Sequence, residues 1–206
     1  MGLFITFEGT EGTGKSTLMR MLAQKLTKHS YAVTLTREPG GTKLAEKIRK
    51  LLLYESMNAW TELFLYEAAR SEHVEKKIKP ALLQGKTVLC DRFTDSSLAY
   101  QAYARKLPWK TVKALNQLAT QNLSPDLCIL LDLPPKLGLR RAQVQTRFEK
   151  EGSGFQEKVN QGYMKIFKEE KNRFLKLNVK NKTPQELINI IIGYLNDKKK
   201  LNINNK

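Results

Sequence analysis

Phe7-Glu8-Gly9-Thr10-Glu11-Gly12-Thr13-Gly14-Lys15-Ser16-Thr17 is the stretch on which the fold of this chain turns. From Gly9 through Gly14, Lys15 and Ser16 it carries a complete phosphate-binding pattern. The apolar run Leu3-Phe4-Ile5-Thr6-Phe7 precedes it and reads as a buried strand. Leu18, Met19, Leu22, Ala23 and Leu26 follow it at helical spacing. Strand, glycine loop and helix is the context the pattern needs, so a glycine-rich turn without a ligand is the weaker reading. Gly9, Gly12 and Gly14 let the backbone turn tightly against a phosphate chain. The N–H groups of Thr10, Glu11, Thr13 and the residues up to Thr17, with the helix N-terminus, then surround the anion. Lys15 can reach the β and γ phosphates, and the Ser16 hydroxyl can ligate Mg²⁺. The loop implies a nucleoside triphosphate and leaves the acceptor open.

With 206 residues, the chain is long enough for one α/β domain with a real core. No apolar run approaches the ~20 residues that span a bilayer, so no membrane association is expected. Met1-Gly2 fits a myristoylation pattern, but the segment is needed as the first core strand. No secretion signal is read, and a cytoplasmic location is the default. Cys90 and Cys128 lie in apolar strand-like runs and read as packed thiols rather than a disulfide or zinc pair. The formal net charge of +16 suggests an anionic partner. The lysines are scattered over helix surfaces, however, and Lys198-Lys199-Lys200 and Lys206 belong to a polar tail. A solvated basic coat that attracts nucleotides is expected, without specific nucleic-acid binding.

Working outward, the first helix covers about 16–29 and the second strand 31–36. The loop Arg37-Glu38-Pro39-Gly40-Gly41-Thr42 follows at the strand's C-terminal end, where open α/β sheets bind ligands. A short helix over 44–53 carries Arg49. A long helix over 58–79 is expected to end at Pro80 and Gly85. Residues 87–90 form a third strand, with Asp91 and Arg92 just past it. Asp95 or Ser96 caps the next helix, which carries Ser97 and Gln101. Another helix covers 109–122, and the continuous apolar run at 127–133 is a strand of the kind buried in parallel sheets. The arginine-rich stretch 137–150 is broken by Gly152 and Gly154, and 155–171 is helical. A weaker strand at 174–179 precedes Thr183-Pro184-Gln185-Glu186, a capping box opening the last helix, which runs to about 196. Alternating strands and helices imply one doubly wound, parallel α/β domain over 1–206.

A resemblance then becomes specific. The glycine loop, Arg37-Glu38-Pro39-Gly40-Gly41-Thr42, Asp91-Arg92-Phe93 and Ser96-Ser97-Leu98-Ala99-Tyr100-Gln101 together resemble bacterial thymidylate kinases. Glu62-Leu63-Phe64-Leu65-Tyr66-Glu67-Ala68-Ala69-Arg70, Ile78-Lys79-Pro80-Ala81-Leu82 and Ser124-Pro125-Asp126 extend the likeness over most of the chain. The resemblance implies a P-loop nucleoside monophosphate kinase fold: a five-stranded parallel sheet in the order 2-3-1-4-5, wrapped by helices. It implies transfer of the γ-phosphoryl of ATP to thymidine monophosphate (dTMP), with Mg²⁺, in dTTP biosynthesis, and a homodimer.

Residue by residue, the resemblance places Tyr66 as a stacking ring and Arg70 as a donor to a thymine carbonyl. The two are four apart and share a helical face. Tyr66 stands where the family most often has Phe; alone, it fits a core aromatic equally well. Ser97 and Gln101 are implied at the other polar edge of the base, or by themselves read as helix surface. Arg49 and Arg92 resemble the pair that fixes the acceptor phosphate by forked hydrogen bonds; surface ion pairing is the alternative, chiefly for Arg49. Glu11 is implied to accept from the sugar 3′-hydroxyl, and Glu38-Pro39 to lie in a turn with a cis peptide. Asp91 at a strand end fits water-mediated Mg²⁺ binding, or a salt bridge. A lid over about 137–154 is expected to supply a catalytic cation; the loop has no basic residue before Lys15, which resembles the bacterial subtype, and that resemblance implies a catalytic arginine in the lid. Arg147-Phe148-Glu149 resembles the lid signature, with Thr146 in place of its first Asp. Arg147 is the first choice for the cation that meets the transferring group, Arg141 the second, and Arg140 reads as a surface charge. The nearest rival is a kinase for another pyrimidine monophosphate, uridylate or cytidylate. A guanine-specific switch protein lacks its Asn-Lys-x-Asp signature, since Asn181-Lys182-Thr183-Pro184 does not close with Asp.

Overall fold

The computed structural model describes residues 2–141, 147–198 and 200–203. Thr146, Lys199 and Lys206, and the side chain of Glu149, lie outside the described residues. Five strands, β1 (Phe4–Glu8), β2 (Val33–Arg37), β3 (Thr87–Asp91), β4 (Leu127–Asp132) and β5 (Phe174–Asn178), form one parallel sheet in the order 2-3-1-4-5. β1 is the hinge of the topology, with Phe4 opposite Val88 on one side and Ile5 opposite Leu127 on the other. Alternation splits each central strand between two cores. Ile5, Phe7, Ile129 and Leu131 pack with Leu22 and Leu26 of α1 (Lys15–Lys28) and Ile188 and Ile191 of α10 (Pro184–Asp197). Cys128 and Leu130 pack with Leu63 of α3 (Ala59–His73) and Val159 and Tyr163 of α9 (Gly152–Glu169). Burial on both faces is what makes these strands read as continuous apolar runs. Cys90 and Cys128 are buried free thiols, as read, and burial pushes both well above the ordinary thiol range.

Three expectations are corrected. Pro80 does not end the long helix. After His73 a π-helical turn (Val74–Ile78) restarts the hydrogen-bond register, and Pro80 stands at the start of α4 (Lys79–Leu83), where an N–H is not required. Gly154 does not break a helix; Gly152 (φ 79°) opens α9 and Gly154 lies within it. Asp95 and Ser96 do not cap α5 (Thr94–Ser97), because longer-range partners take their oxygens: Arg173 binds Asp95 at 2.6 and 2.7 Å, and Ser96 donates to Glu8 at 2.7 Å. A second π-helical segment (Leu98–Ala104) then carries Gln101. α2 (Lys43–Tyr54) and α6 (Trp109–Thr120) complete the wall around α3, and α7 (Pro135–Arg141) and α8 (Arg147–Lys150) lie between β4 and α9. The capping box at Thr183 and Glu186 is present. Among the described residues no helix is long and apolar enough to cross a membrane.

Candidate active site

The carboxyl ends of β1, β2 and β3 open on a cavity of about 580 Å³. In an open α/β sheet this is where a topological switch leaves room for a ligand. One wall is the glycine loop. Gly9, Gly12 and Gly14 take φ of 137°, 69° and 91°, conformations an L side chain rarely adopts. Lys15 folds back over the loop, its Nζ donating to the carbonyls of Gly9 (3.1 Å) and Thr10 (2.9 Å). Burial, with Arg92 close by, lowers the Lys15 pKa from its ordinary value. Ser16 Oγ donates to Asp91 Oδ2 at 2.6 Å, joining the loop's hydroxyl to the end of β3. Gly12, Gly14, Lys15, Ser16 and Thr17 line the cavity. Gly9 and the buried Thr10 and Thr13 shape it from outside that lining, Thr13 Oγ1 donating to Thr10 O at 3.0 Å.

At the end of β3, Arg92 sits at φ 71°, a left-handed backbone unusual for a long side chain. Its guanidinium donates to Gly9 O (2.9 Å), Tyr163 Oη (3.1 Å) and Glu11 Oε1 (2.6 Å). Tyr100 Oη donates to the same Glu11 oxygen at 3.2 Å. Burial works against the Glu11 charge, but Arg92 and Lys15 outweigh it and hold the carboxyl below its usual range. Arg49 of α2 donates to Pro39 O at 2.9 Å, and burial and Arg37 lower its pKa. The Glu38-Pro39 peptide is cis, as expected. Arg49, Arg92 and Arg37 all line the cavity, an arrangement that can grip a phosphate.

The remaining wall is a buried polar network around Arg70. Its Nε donates to Glu38 (2.8 Å), its Nη1 to Glu67 (2.7 Å), Ser97 (3.0 Å) and Asn116 (2.7 Å), and its Nη2 to Phe93 O (3.2 Å). A guanidinium has five N–H groups, so one on Nη2 has no acceptor among the described residues, in a side chain that lines the cavity. Burial opposes the Arg70 charge, but Glu67 and Glu38 more than compensate and raise its pKa. Glu38 also accepts from His73 Nδ1 at 3.0 Å and is pulled below its ordinary pKa, against burial, by Arg70 and His73. Glu38 and Ser97 line the cavity, yet Glu38 spends one oxygen on Arg70 and the other on His73, and the Ser97 oxygen accepts from Arg70, rather than standing free for a base. Gln101 is buried, lines the cavity, and donates from Nε2 to Glu62 at 2.7 Å. Tyr66 lines the cavity beside Phe148, ring centroids 6.4 Å apart, and burial with the nearby Glu62 raises its hydroxyl pKa.

The structure brings together every residue expected around the acceptor: Glu11, Glu38, Pro39, Arg49, Tyr66, Arg70, Arg92, Ser97 and Gln101 all line this cavity, with Asp91. Of the two lid arginines, Arg141 lines it and Arg147 does not. Arg147 is drawn instead to Glu62, a carboxylate buried with 0 % exposure, at 2.7 Å, and to Leu52 O at 3.1 Å. Arg37, Tyr100 and Phe148 are lining residues that sequence reasoning did not single out. Tyr100 lay inside a quoted segment, but nothing in its spacing pointed at Glu11.

Comparison with known proteins is in line with this geometry. The family model described as Thymidylate kinase matches residues 7–190. A thymidylate kinase of Geotalea daltonii is 50% identical over 188 residues, covering 85% of this chain and 88% of the relative. One from Synechococcus sp. is 45% identical, covering 90% of each. One from Staphylococcus epidermidis is 44% identical over 203 residues, covering 95% of this chain and 100% of the relative. With a phosphate-loop sequence, a cluster of arginines and a buried polar wall around one cavity, and with these relatives, the chain belongs to the thymidylate kinase family.

Proposed function

We propose that this chain, which phosphorylates dTMP to dTDP with ATP, holds the two nucleotides tail to tail in the one cavity. A phosphate oxygen of dTMP forms the new bond to the γ-phosphorus, and the bond to the bridging oxygen breaks as ADP leaves. Lys15, Ser16 and the amides from Gly9 to Thr17 cradle the donor; Arg92 and Arg49 fix the acceptor phosphate in line with it. Tyr66 stacks on the base, the remaining Nη2 proton of Arg70 meets the thymine O4, and Gln101 completes that edge. Glu11 takes the sugar hydroxyl. Arg141 brings positive charge to the transferring group from a lid over about 137–154 of a single domain, and Arg147 anchors that lid.

Ser16 and Asp91 would hold Mg²⁺. A hydroxyl and a single carboxylate oxygen 2.6 Å apart suit an ion that keeps several waters and takes its other oxygens from phosphates. When bound, Mg²⁺ neutralises charge on the β and γ oxygens. A homodimer in the cytoplasm, with no specific nucleic-acid partner, completes the reading.

The observation that carries it is that the phosphate loop and the Arg70–Gln101 wall line the same cavity. ADP release from a panel of nucleoside monophosphates tests it. With Mg²⁺, dTMP should be consumed at least tenfold faster than uridylate or cytidylate, and chelation of the metal should abolish turnover. Brisk use of another monophosphate in preference to dTMP overturns the reading.

A further inference from the structure

We propose that Glu62 sets which pyrimidine is accepted, by fixing which end of the Gln101 amide faces the base. The inference rests on the reading that Gln101 lies at the base edge. Glu62 is a fully buried carboxylate on α3. Its Oε2 is held by Arg147 (2.7 Å) and Arg105 (3.2 Å); its Oε1 accepts from Gln101 Nε2 (2.7 Å) and Arg105 Nε (3.3 Å). Arg105 is itself braced by Glu151 and by the ring of Phe155, 4.5 Å from its guanidinium carbon. A carboxylate gripped by two guanidinium groups can only accept hydrogen bonds. It therefore tolerates the NH₂ end of the neighbouring amide and repels the carbonyl end.

Gln101 Oε1 is thereby turned away from Glu62. It takes no hydrogen bond from the described residues and is not sealed off, in a side chain that lines the cavity. The wall then presents one donor, Arg70 Nη2–H, and one acceptor, Gln101 Oε1. A 4-oxo pyrimidine with N3–H offers the matching acceptor and donor. Cytosine offers the reverse, an exocyclic amine against Arg70 and a bare N3 against Oε1. Both of its contacts would fail at once, and unpaired buried polar groups are what make such discrimination steep. A flipped amide would donate to the cytosine N3, so discrimination depends on what prevents the flip. Glu62 touches neither substrate; it is a positioning residue.

The test is kcat/KM of the full-length enzyme for thymidylate and deoxycytidylate, for the wild type and for Glu62→Gln. The variant's amide can pair with either end of Gln101. Its preference for thymidylate should narrow by at least tenfold, with thymidylate losing more than deoxycytidylate. Arg105→Met removes a neighbouring contact but leaves the carboxylate on Gln101, so its preference should stay within about threefold of wild type. Should Glu62→Gln fail to give a cooperative thermal transition, Glu62→Asp takes its place: it keeps a charge for the arginines but withdraws it from Gln101, and the same narrowing is expected. A parallel loss with both substrates, or equal narrowing in Arg105→Met, overturns the proposal. A wild type that prefers deoxycytidylate would overturn the base-site reading itself, a separate outcome.

Discussion

Glu8, the last residue of β1, shows how one buried carboxyl can brace a cavity-lining arginine through shared hydroxyl partners. Its Oε1 accepts from the Phe93 N–H at 2.7 Å, and its Oε2 accepts from Ser96 (2.7 Å) and Tyr163 (2.8 Å). Arg92 reaches the same two hydroxyls, at 3.4 and 3.1 Å, so Glu8 steadies the residues that steady Arg92. Burial raises the Glu8 pKa from 4.5 to about 7, and Asp95 adds repulsion, while Ser96, Arg92 and Tyr163 pull the other way. The folded protein thus keeps a proton on Glu8 to higher pH than the unfolded chain. The stability this gives is fully present below 4.5 and is lost as pH rises through about 7. Glu8→Gln, neutral at every pH, lacks that slope. Between pH 5 and 8, urea midpoints should show the wild type losing about 1–3 kcal/mol relative to the variant. Parallel curves for the two proteins would mean that Glu8 is ionised throughout. Sequence could not have flagged this residue, because Tyr163 is 155 positions away from it.

At the scale of elements, what was legible had local causes. The strand, glycine loop and α1 follow from neighbouring residues, and the sheet order followed from the family resemblance. The Arg70 network was not legible, since its partners come from β2–α2, α3, α5 and α6 and only packing joins them. The close seat of α7 on the phosphate loop was equally hidden. A Cβ on Gly12 would lie 1.9 Å from Gly138 O, and one on Gly138 would lie 2.2 Å from Glu11 O. That backbone contact brings the end of α7, and Arg141 with it, to the cavity. Arg147 goes elsewhere: its guanidinium is engaged by Glu62 and Leu52 and covers the Phe148 ring at 4.7 Å. The two arginines should therefore separate kinetically. Arg141→Ala should lower kcat by on the order of 10³, with KM for dTMP little changed, as loss of a cation at the transferring group does. Arg147→Ala should cost less in kcat, raise KM, and lower the melting temperature, because it leaves Glu62 short of one partner. Equal kcat losses with unchanged melting would return Arg147 to the reacting group.

Over the whole molecule, the proposed dimer has to reconcile two opposed surface properties. Leu51 and Tyr54 of α2 and Trp60 and Phe64 of α3 are exposed by 47, 65, 40 and 55 %, and Trp60 and Phe64 stack at 6.0 Å. Large apolar side chains exposed on two mutually packed helices favour contact with another protein surface. Against this, each chain carries a formal +16, so two copies repel. The apolar contribution is nearly insensitive to moderate salt, whereas the repulsion fades as the Debye length falls to about 8 Å at 0.15 M. Association should therefore strengthen with salt, the reverse of what a charge-complementary interface or a nucleic-acid complex would do. Sedimentation at 0.15 M salt should give about twice the 23.6 kDa chain mass, shifting toward the monomer near 0.01 M. Phe64→Glu should leave a monomer at both salt concentrations, because it sets a carboxylate in the apolar contact while lowering the net charge of each chain. A wild type that stays monomeric at 0.15 M, or a variant that still dimerises, would exclude this face.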